Sequence, residues 1–156
     1  MKHVIENLYS LALALWVGGM AIFTFIVTPA IFSSYGRDQA GEIVGKLFPG
    51  YFAYTLIVSA IALVLFVLLK GDPASRVSRV SLVLLAAALV VNLYVSFKVH
   101  PDAVKIKQEI SSFEHESTDS PARKKFRQLH AVSAGLNLFV FVDGLVLLVL
   151  SRNIGR

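Results

Sequence analysis

The sequence predicts an all-α integral membrane protein: a four-helix bundle with a helical hairpin that protrudes from the bilayer. The first observation is composition, since 56% of the 156 residues are hydrophobic, whereas about 45–50% is usual in a soluble domain. The second is that the apolar residues fall into four blocks. Each block has roughly the 20 residues that a helix needs to cross the hydrocarbon core.

Taken in order, the predicted spans are residues 8–33, 49–69, 80–99 and 131–151, within a single membrane domain over residues 1–156. Between the first two spans, apolar residues recur at helical spacing and predict a short amphipathic helix at the interface, with Asp38 as its N-cap. Residues 101–130 predict the extramembrane hairpin. Ser120 and Pro121 have the residue types that cap and begin a helix, so they predict the start of the last one.

The formal charge of +5 indicates a lipid partner rather than nucleic acid. The basic residues lie beside the apolar spans, and no nucleic-acid recognition motif accompanies them. We expect the plasma (inner) membrane. Four spans place both termini on one side; nine basic residues on the hairpin side against six on the other favour a cytoplasmic hairpin and non-cytoplasmic termini.

Polar residues recur at one end of every predicted span. Because polar side chains avoid lipid, these should face one another inside the bundle, with Asn92 and Asn137 at nearly the same depth. One interpretation is hydrogen bonding that holds the helices together. The other is a polar cavity in a non-enzymatic protein, which binds or helps to move a small polar or lipidic solute. The residues that would line this cavity are Tyr51, Thr55, Asn92, Ser96, His100, His130, Ser133 and Asn137.

Asp143 is an acid within the last span, and such residues are functional candidates by default. It would serve as a proton-coupled carboxyl, as a polar contact with another span or subunit, or as a neutral acid that reaches water at the far interface, with Tyr9 or Trp16 as a donor. Trp16, Gly18 and Gly19 predict close helix packing. A structural subunit that contacts a second copy or a membrane partner through these glycines and Asp143 is a further hypothesis.

Three segments carry a resemblance to a known family: LWVGGM at 15–20, AGEIVGKLFPGYF at 40–52 and FRQLHAVS at 126–133. They resemble the transmembrane-protein-205-like family, a four-span domain of unknown function, which implies four spans and no settled activity. The Trp-x-Gly motif of span one is also similar to that of four-span haem-binding membrane oxidases, which carry a histidine where this chain has Tyr9.

We predict no catalytic residue and no cofactor. The alternative is a redox protein in which His100 and His130 bind haem b or a metal ion, since imidazole is a common ligand of both. The sequence contains no cysteine, which excludes thiolate ligation and a redox dithiol.

Overall fold

A computed structural model describes residues 2–69 and 75–152 of the chain. Within these residues it contains four long helices: α1 (Lys2–Ser34), α2 (Arg37–Leu68), α3 (Arg76–Gln108) and α4 (Pro121–Ser151). Each is long and apolar enough to cross a membrane. The predicted all-α, four-span fold is therefore confirmed. The two extreme ends of the predicted 1–156 domain lie outside the described residues.

The helices form a four-membered ring in which α1 and α3 each contact both α2 and α4. The centre of the bundle is closely packed around α1, whose Leu13, Trp16 and Met20 are fully buried. Leucine, isoleucine, valine and phenylalanine side chains cover the outer surface, including Phe97, which is 72% exposed. An apolar exterior of this kind is suited to lipid, as a membrane bundle requires.

Two helices contain a π-helical turn, Ile22–Val27 in α1 and Val95–Val99 in α3. Each turn is followed two residues later by a proline, Pro29 or Pro101. A proline ring crowds the carbonyl four residues earlier and removes a backbone donor. A wider turn just before the proline relieves this crowding, so the helix continues. As a result α3 runs on to Gln108 and forms the first arm of the hairpin.

The amphipathic segment before the second span is helical, but it is not a separate helix. It continues through Pro49 as part of α2. The prediction that Asp38 caps this helix is wrong, because the N-cap position is Gly36 and Asp38 lies in the first turn. Its carboxylate accepts hydrogen bonds from the loop between α3 and α4 instead, from the Ser112 hydroxyl at 2.6 Å and from the Phe113 N–H.

The start of α4 is as predicted. The Ser120 hydroxyl accepts a hydrogen bond from the Arg123 N–H at 3.3 Å, and Pro121 is the first helical residue. The hairpin loop folds back on this helix: the Phe113 and Phe126 rings meet edge to face at 5.1 Å, and the Arg123 guanidinium lies 5.5 Å from the centre of the Phe113 ring. The loop is thereby fixed over the end of the bundle.

Candidate functional site

A cavity of about 530 Å³ lies at the hairpin end of the bundle. Its lining comes from all four helices and from the hairpin loop. Most of the lining is apolar: Val44, Phe48, Phe52, Ala103, Val104, Phe113 and Phe126. This size falls within the range of about 300–1,000 Å³ that is typical of small-molecule sites.

Three cationic side chains line the same cavity: Arg37, Lys107 and Arg123. Within the described parts of the chain, none of them forms a salt bridge with a carboxylate. The Lys107 ammonium donates to the Gly41 carbonyl at 2.7 Å, and the Arg123 guanidinium donates to the Glu116 carbonyl. These bonds place Lys107 and Arg123 without neutralising them. The nearest charge effect is that of Lys107 on the exposed Glu42 carboxylate, which lies beyond salt-bridge distance in the described residues.

Two glycines of α2 make room for Lys107. A Cβ atom added at Gly45 would come within 3.3 Å of the Lys107 nitrogen, and one at Gly41 within 3.9 Å. The two glycines are four residues apart, so they share one helix face. A cation from α3 can therefore lie against the α2 backbone at the edge of the cavity.

Three of the predicted site residues line this cavity: His100, His130 and Ser133. The His100 ring is half-buried, with its edge on Phe52 at 5.2 Å. The exposed His130 ring stacks on Phe126 at 6.1 Å. Across residues 2–69 and 75–152 there is no cluster of three or more histidine, aspartate or glutamate side chains arranged to hold a metal ion.

A second group of predicted residues forms a hydrogen-bonded junction beside the cavity. The Tyr51 hydroxyl donates to the Asn137 side-chain oxygen at 2.6 Å, and the Asn137 nitrogen donates to the Thr24 hydroxyl at 3.2 Å. The Tyr51 ring also stacks on Phe23 at 4.2 Å. This junction joins α1, α2 and α4.

The other asparagine joins α2 and α3 at a different depth. The Asn92 nitrogen donates to the Ser59 hydroxyl at 3.1 Å. Because Ser59 lies eight residues beyond Tyr51 on α2, the two junctions are about 12 Å apart along the helix. The prediction of nearly equal depth for Asn92 and Asn137 is wrong. The prediction counted residues inward from His100 and His130, on the assumption that each histidine marks the membrane end of a span. In the structure α3 extends beyond His100 to Gln108, and α4 begins before His130 at Pro121, so neither histidine marks a helix end.

The two remaining candidates do not reach the cavity either. The Thr55 hydroxyl is buried and donates to the Phe52 carbonyl of its own helix at 3.0 Å. The Ser96 hydroxyl is buried with no hydrogen-bond partner. The structure thus divides the predicted polar site into cavity residues and residues that lie between helices.

Asp143 lies inside the bundle, where it is 4% exposed and neither carboxyl oxygen has a hydrogen-bond partner. The adjacent Gly144 packs on α1, since a Cβ atom there would come within 3.0 Å of Val17. Neither expected donor bonds to Asp143: the Trp16 N–H donates to the Met20 sulfur at 3.1 Å, and the buried Tyr9 hydroxyl has no partner.

The two glycines of span one have different surroundings. A Cβ atom at Gly19 would come within 2.5 Å of the Tyr54 ring, whereas nothing lies within 4 Å of one at Gly18. The Tyr54 hydroxyl crosses between helices and donates to the Leu15 carbonyl at 2.5 Å. Gly19 therefore allows α2 to approach α1, and Gly18 faces open space.

The fold and the site together define a four-span helical membrane protein with a cation-lined cavity at one end. The chain belongs to a family described as a domain of unknown function (DUF4149), whose model matches residues 11–112. It is also similar to an uncharacterized protein of Aquifex aeolicus (strain VF5), with 38% identity over 60 residues. That segment covers 38% of this chain and 46% of the relative. No solved structure matches the chain.

The sequence interpretation missed the three cations of the cavity. It assigned the basic residues of the hairpin to a general lipid-attracting surface and did not single out Arg37, Lys107 or Arg123. The spacing of Gly41 and Gly45 was the available signal, because a small-residue face on an amphipathic helix predicts close approach of another chain segment.

Proposed function

We propose that this protein binds an amphipathic anion in the cavity at the hairpin end. The solute would have a negatively charged head group and an apolar body, and the protein would act without catalysing a reaction. The observation that carries the proposal is the combination of three cations that form no salt bridge within the described residues and a largely aromatic and aliphatic wall.

The charge pattern supports an anionic head group. A guanidinium presents a planar fork of donors that matches phosphate and carboxylate, and Arg37 and Arg123 bring two such forks to one cavity. Charge attraction is stronger beside apolar walls than in water, because the local dielectric is lower. The apolar rings of Phe48, Phe52 and Phe126 would contact the hydrophobic part of the solute.

In this proposal the polar residues deeper in the bundle hold the helices in position. Tyr51 and Asn137 would hold α2 and α4 together beside the cavity, and Asn92 would fix α3 on α2. Movement of a solute further into the bundle would require the Tyr51–Asn137 hydrogen bond to open. Binding is therefore the primary function that we propose, and transport would require this additional opening step.

A binding titration with matched lipids tests the proposal. The protein in detergent micelles is titrated with a short-chain phosphatidic acid and with phosphatidylcholine of the same chain length. We expect tighter binding of the phosphatidic acid. Replacement of one charged donor by Arg37→Gln should weaken that binding about ten-fold or more, because hydrogen bonds to charged groups contribute about 1.5–3 kcal/mol.

Arg127→Gln is the matched control, because Arg127 is exposed on α4 and does not line the cavity. Its affinity should equal that of the unaltered protein. Equal affinity for the two lipids, or an equal loss in the Arg37 and Arg127 variants, would show that binding is a non-specific surface effect and would refute the proposal.

A haem or metal site at His100 and His130 is the alternative, favoured by the fact that both imidazoles line one cavity. The absorption spectrum and metal content of the purified protein test it. A Soret band that disappears in His130→Ala would support a redox protein. A colourless, metal-free protein would leave the anion site as the function of this cavity.

We also propose the finer assignments of family and orientation: a transmembrane-protein-205-like protein of the plasma membrane, with a cytoplasmic hairpin. The native chain contains no cysteine, so single cysteines report topology directly. A membrane-impermeant maleimide added to intact cells should label Arg152→Cys and should not label Ser117→Cys in the hairpin loop. The reverse pattern would invert the topology.

A further inference from the structure

We propose that Asp143 is a proton-binding site inside the bundle, separate from the cavity, which holds a neutral carboxylic acid while α1 and α4 are packed together. The proposal starts from two observations on the side chain itself. It is 4% exposed, and both of its oxygens lack a hydrogen-bond partner. An ionised carboxylate buried without a partner would carry a large free-energy penalty, which a bound proton removes.

Among residues 2–69 and 75–152, no cation forms an ion pair with Asp143. The apolar stretches 8–33 of α1, 49–69 of α2 and 80–97 of α3 contain no lysine, arginine, histidine, aspartate or glutamate. On α4 itself, no other charged residue or histidine lies between His130 and Arg152. A stable ion pair is therefore not available within the bundle.

Within those apolar stretches of α1, α2 and α3, the titratable groups are four tyrosines. Tyr9 of α1 is 1% exposed, and its hydroxyl has no hydrogen-bond partner among the described residues. Tyr51 and Tyr54 of α2 already donate to Asn137 and to the Leu15 carbonyl. Tyr94 of α3 is 52% exposed on the outer surface. Tyr9 is thus the one hydroxyl of these four tyrosines that is both buried and unpaired, and the proposal assigns it as the partner of the protonated carboxyl.

The donor set favours a proton over a metal cation. Asp143 and Tyr9 together offer three oxygens, whereas Ca²⁺ takes about six to eight oxygen ligands and Mg²⁺ about six. Binding converts the carboxylate and a proton from water into a carboxylic acid. That acid can donate its proton to one acceptor and accept a bond from the Tyr9 hydroxyl.

The position of Asp143 connects this proton to helix packing. Its neighbour Gly144 lies against Val17, so the carboxyl is part of the α1–α4 interface. Loss of the proton would leave a single charge in that interface. We infer that deprotonation loosens α1 from α4, which makes the packing of the bundle dependent on pH.

Infrared titration of the whole protein in nanodiscs tests the proposal. The protein is labelled with ¹³C at the aspartate carboxyl carbon, which shifts the carbonyl bands of its five aspartates, Asp38, Asp72, Asp102, Asp119 and Asp143. We expect an isotope-sensitive band of a protonated carboxyl at mildly acidic pH, above the ordinary aspartate range of about 3.9. It should be absent in Asp143→Asn, and Tyr9→Phe should shift its frequency.

Thermal unfolding provides a second readout, which needs no isotope label. The unaltered protein should lose stability as the pH rises above the ordinary aspartate range of about 3.9, because the unfolded chain ionises there while the folded chain keeps its proton. Asp143→Asn should show a smaller loss. Absence of the labelled band at that mildly acidic pH would overturn the proposal. So would a band that persists in a folded Asp143→Asn protein, or equal pH dependence of unfolding in the two proteins.

Discussion

The hydrogen bonding of Asn137 at the cavity end of the bundle differs from that of Asp143 at the α1–α4 interface. At the cavity end, the amide of Asn137 is bonded to hydroxyls from two other helices. At the interface, the Asp143 oxygens and the Tyr9 hydroxyl are buried without partners, among close-packed side chains such as Trp16. Asn137 thus serves as an interhelical contact, whereas the Asp143 carboxyl is left unpaired among the described residues.

This difference distinguishes polar side chains that hold helices together from polar side chains whose presence packing does not explain. A bonded amide or hydroxyl stabilises helix association modestly, by about 0.6 kcal/mol on average. An unpaired acid contributes no such stabilisation, so its presence needs another explanation, which the proton site supplies. The following predictions test whether the two regions differ as the geometry indicates.

The largest effect should come from the packed interface, through Trp16→Ala. Trp16 is fully buried, and truncation of a buried tryptophan costs about 3–5 kcal/mol. The free energy of unfolding in mixed detergent micelles measures the loss. Phe97→Ala is the control, because this lipid-facing side chain should contribute much less. A loss of similar size in both variants would mean that lipid exposure, and not interior packing, governs stability.

Gly19→Ala should have the next largest effect. The added methyl would overlap the Tyr54 ring, and overpacking of this kind costs about 1–3 kcal/mol. Gly18→Ala is the matched control: the site is open, and alanine favours the helix by up to about 1 kcal/mol. The same unfolding assay should therefore give changes of opposite sign. Two neutral variants would show that α2 is not held against α1 at this point.

The junction beside the cavity should give a small but specific coupling. A double-mutant cycle of Tyr51→Phe and Asn137→Ala should return about 0.6 kcal/mol, the average for such bonds in membranes. A second cycle of Tyr51→Phe with Asn92→Ala should be additive, because those junctions are about 12 Å apart along α2. Coupling in the second cycle and none in the first would contradict the observed pairing.

The smallest effect on global stability should come from Asp38, which holds the hairpin loop. Asp38 precedes the predicted second span, and hydrogen bonds from the Ser112 hydroxyl and the Phe113 N–H lower the pKa of its carboxyl. A lowered pKa means that the contact is complete above the ordinary carboxyl range and is lost as pH falls through the lowered value. The protection factors of the loop amides, which are corrected for the slower intrinsic exchange in acid, should therefore fall at acidic pH.

At neutral pH, Asp38→Asn should lower these protection factors in the same way, because the amide is a weaker acceptor than the carboxylate. Asp119→Asn is the control, since Asp119 lies in the same loop and pairs only with Lys124 at its surface. Equal protection of the loop in all three proteins would show that Asp38 does not fix the hairpin over the cavity.

Several elements were predictable because their signals are local. The length of each apolar block predicted the four spans, and Ser120 with Pro121 predicted the start of α4, since capping depends on residues a few positions apart. Asp38 was assigned as a cap by the same kind of reasoning. That assignment failed because Ser112 and Phe113, more than seventy residues away, bind its carboxylate in the folded chain.

The depth of each polar residue in the bundle, and the residues that it contacts, could not be predicted in this way. Counting residues from His100 and His130 placed the two asparagines level, but the relative shift of α3 and α4 depends on how the helices pack and on where each one leaves the membrane. The cavity is a similar case, because Arg37, Lys107 and Arg123 come from three different helices and meet only when these are assembled.

The sequence by itself determined that this is a four-span helical membrane protein, because hydrocarbon admits a spanning segment only if it is apolar and satisfies its own backbone hydrogen bonds. Only the tertiary structure decided which polar side chains bond one another, which face the cavity and which stay unpaired. Those outcomes depend on the rotation and axial position of each helix, and in an apolar solvent close packing sets both.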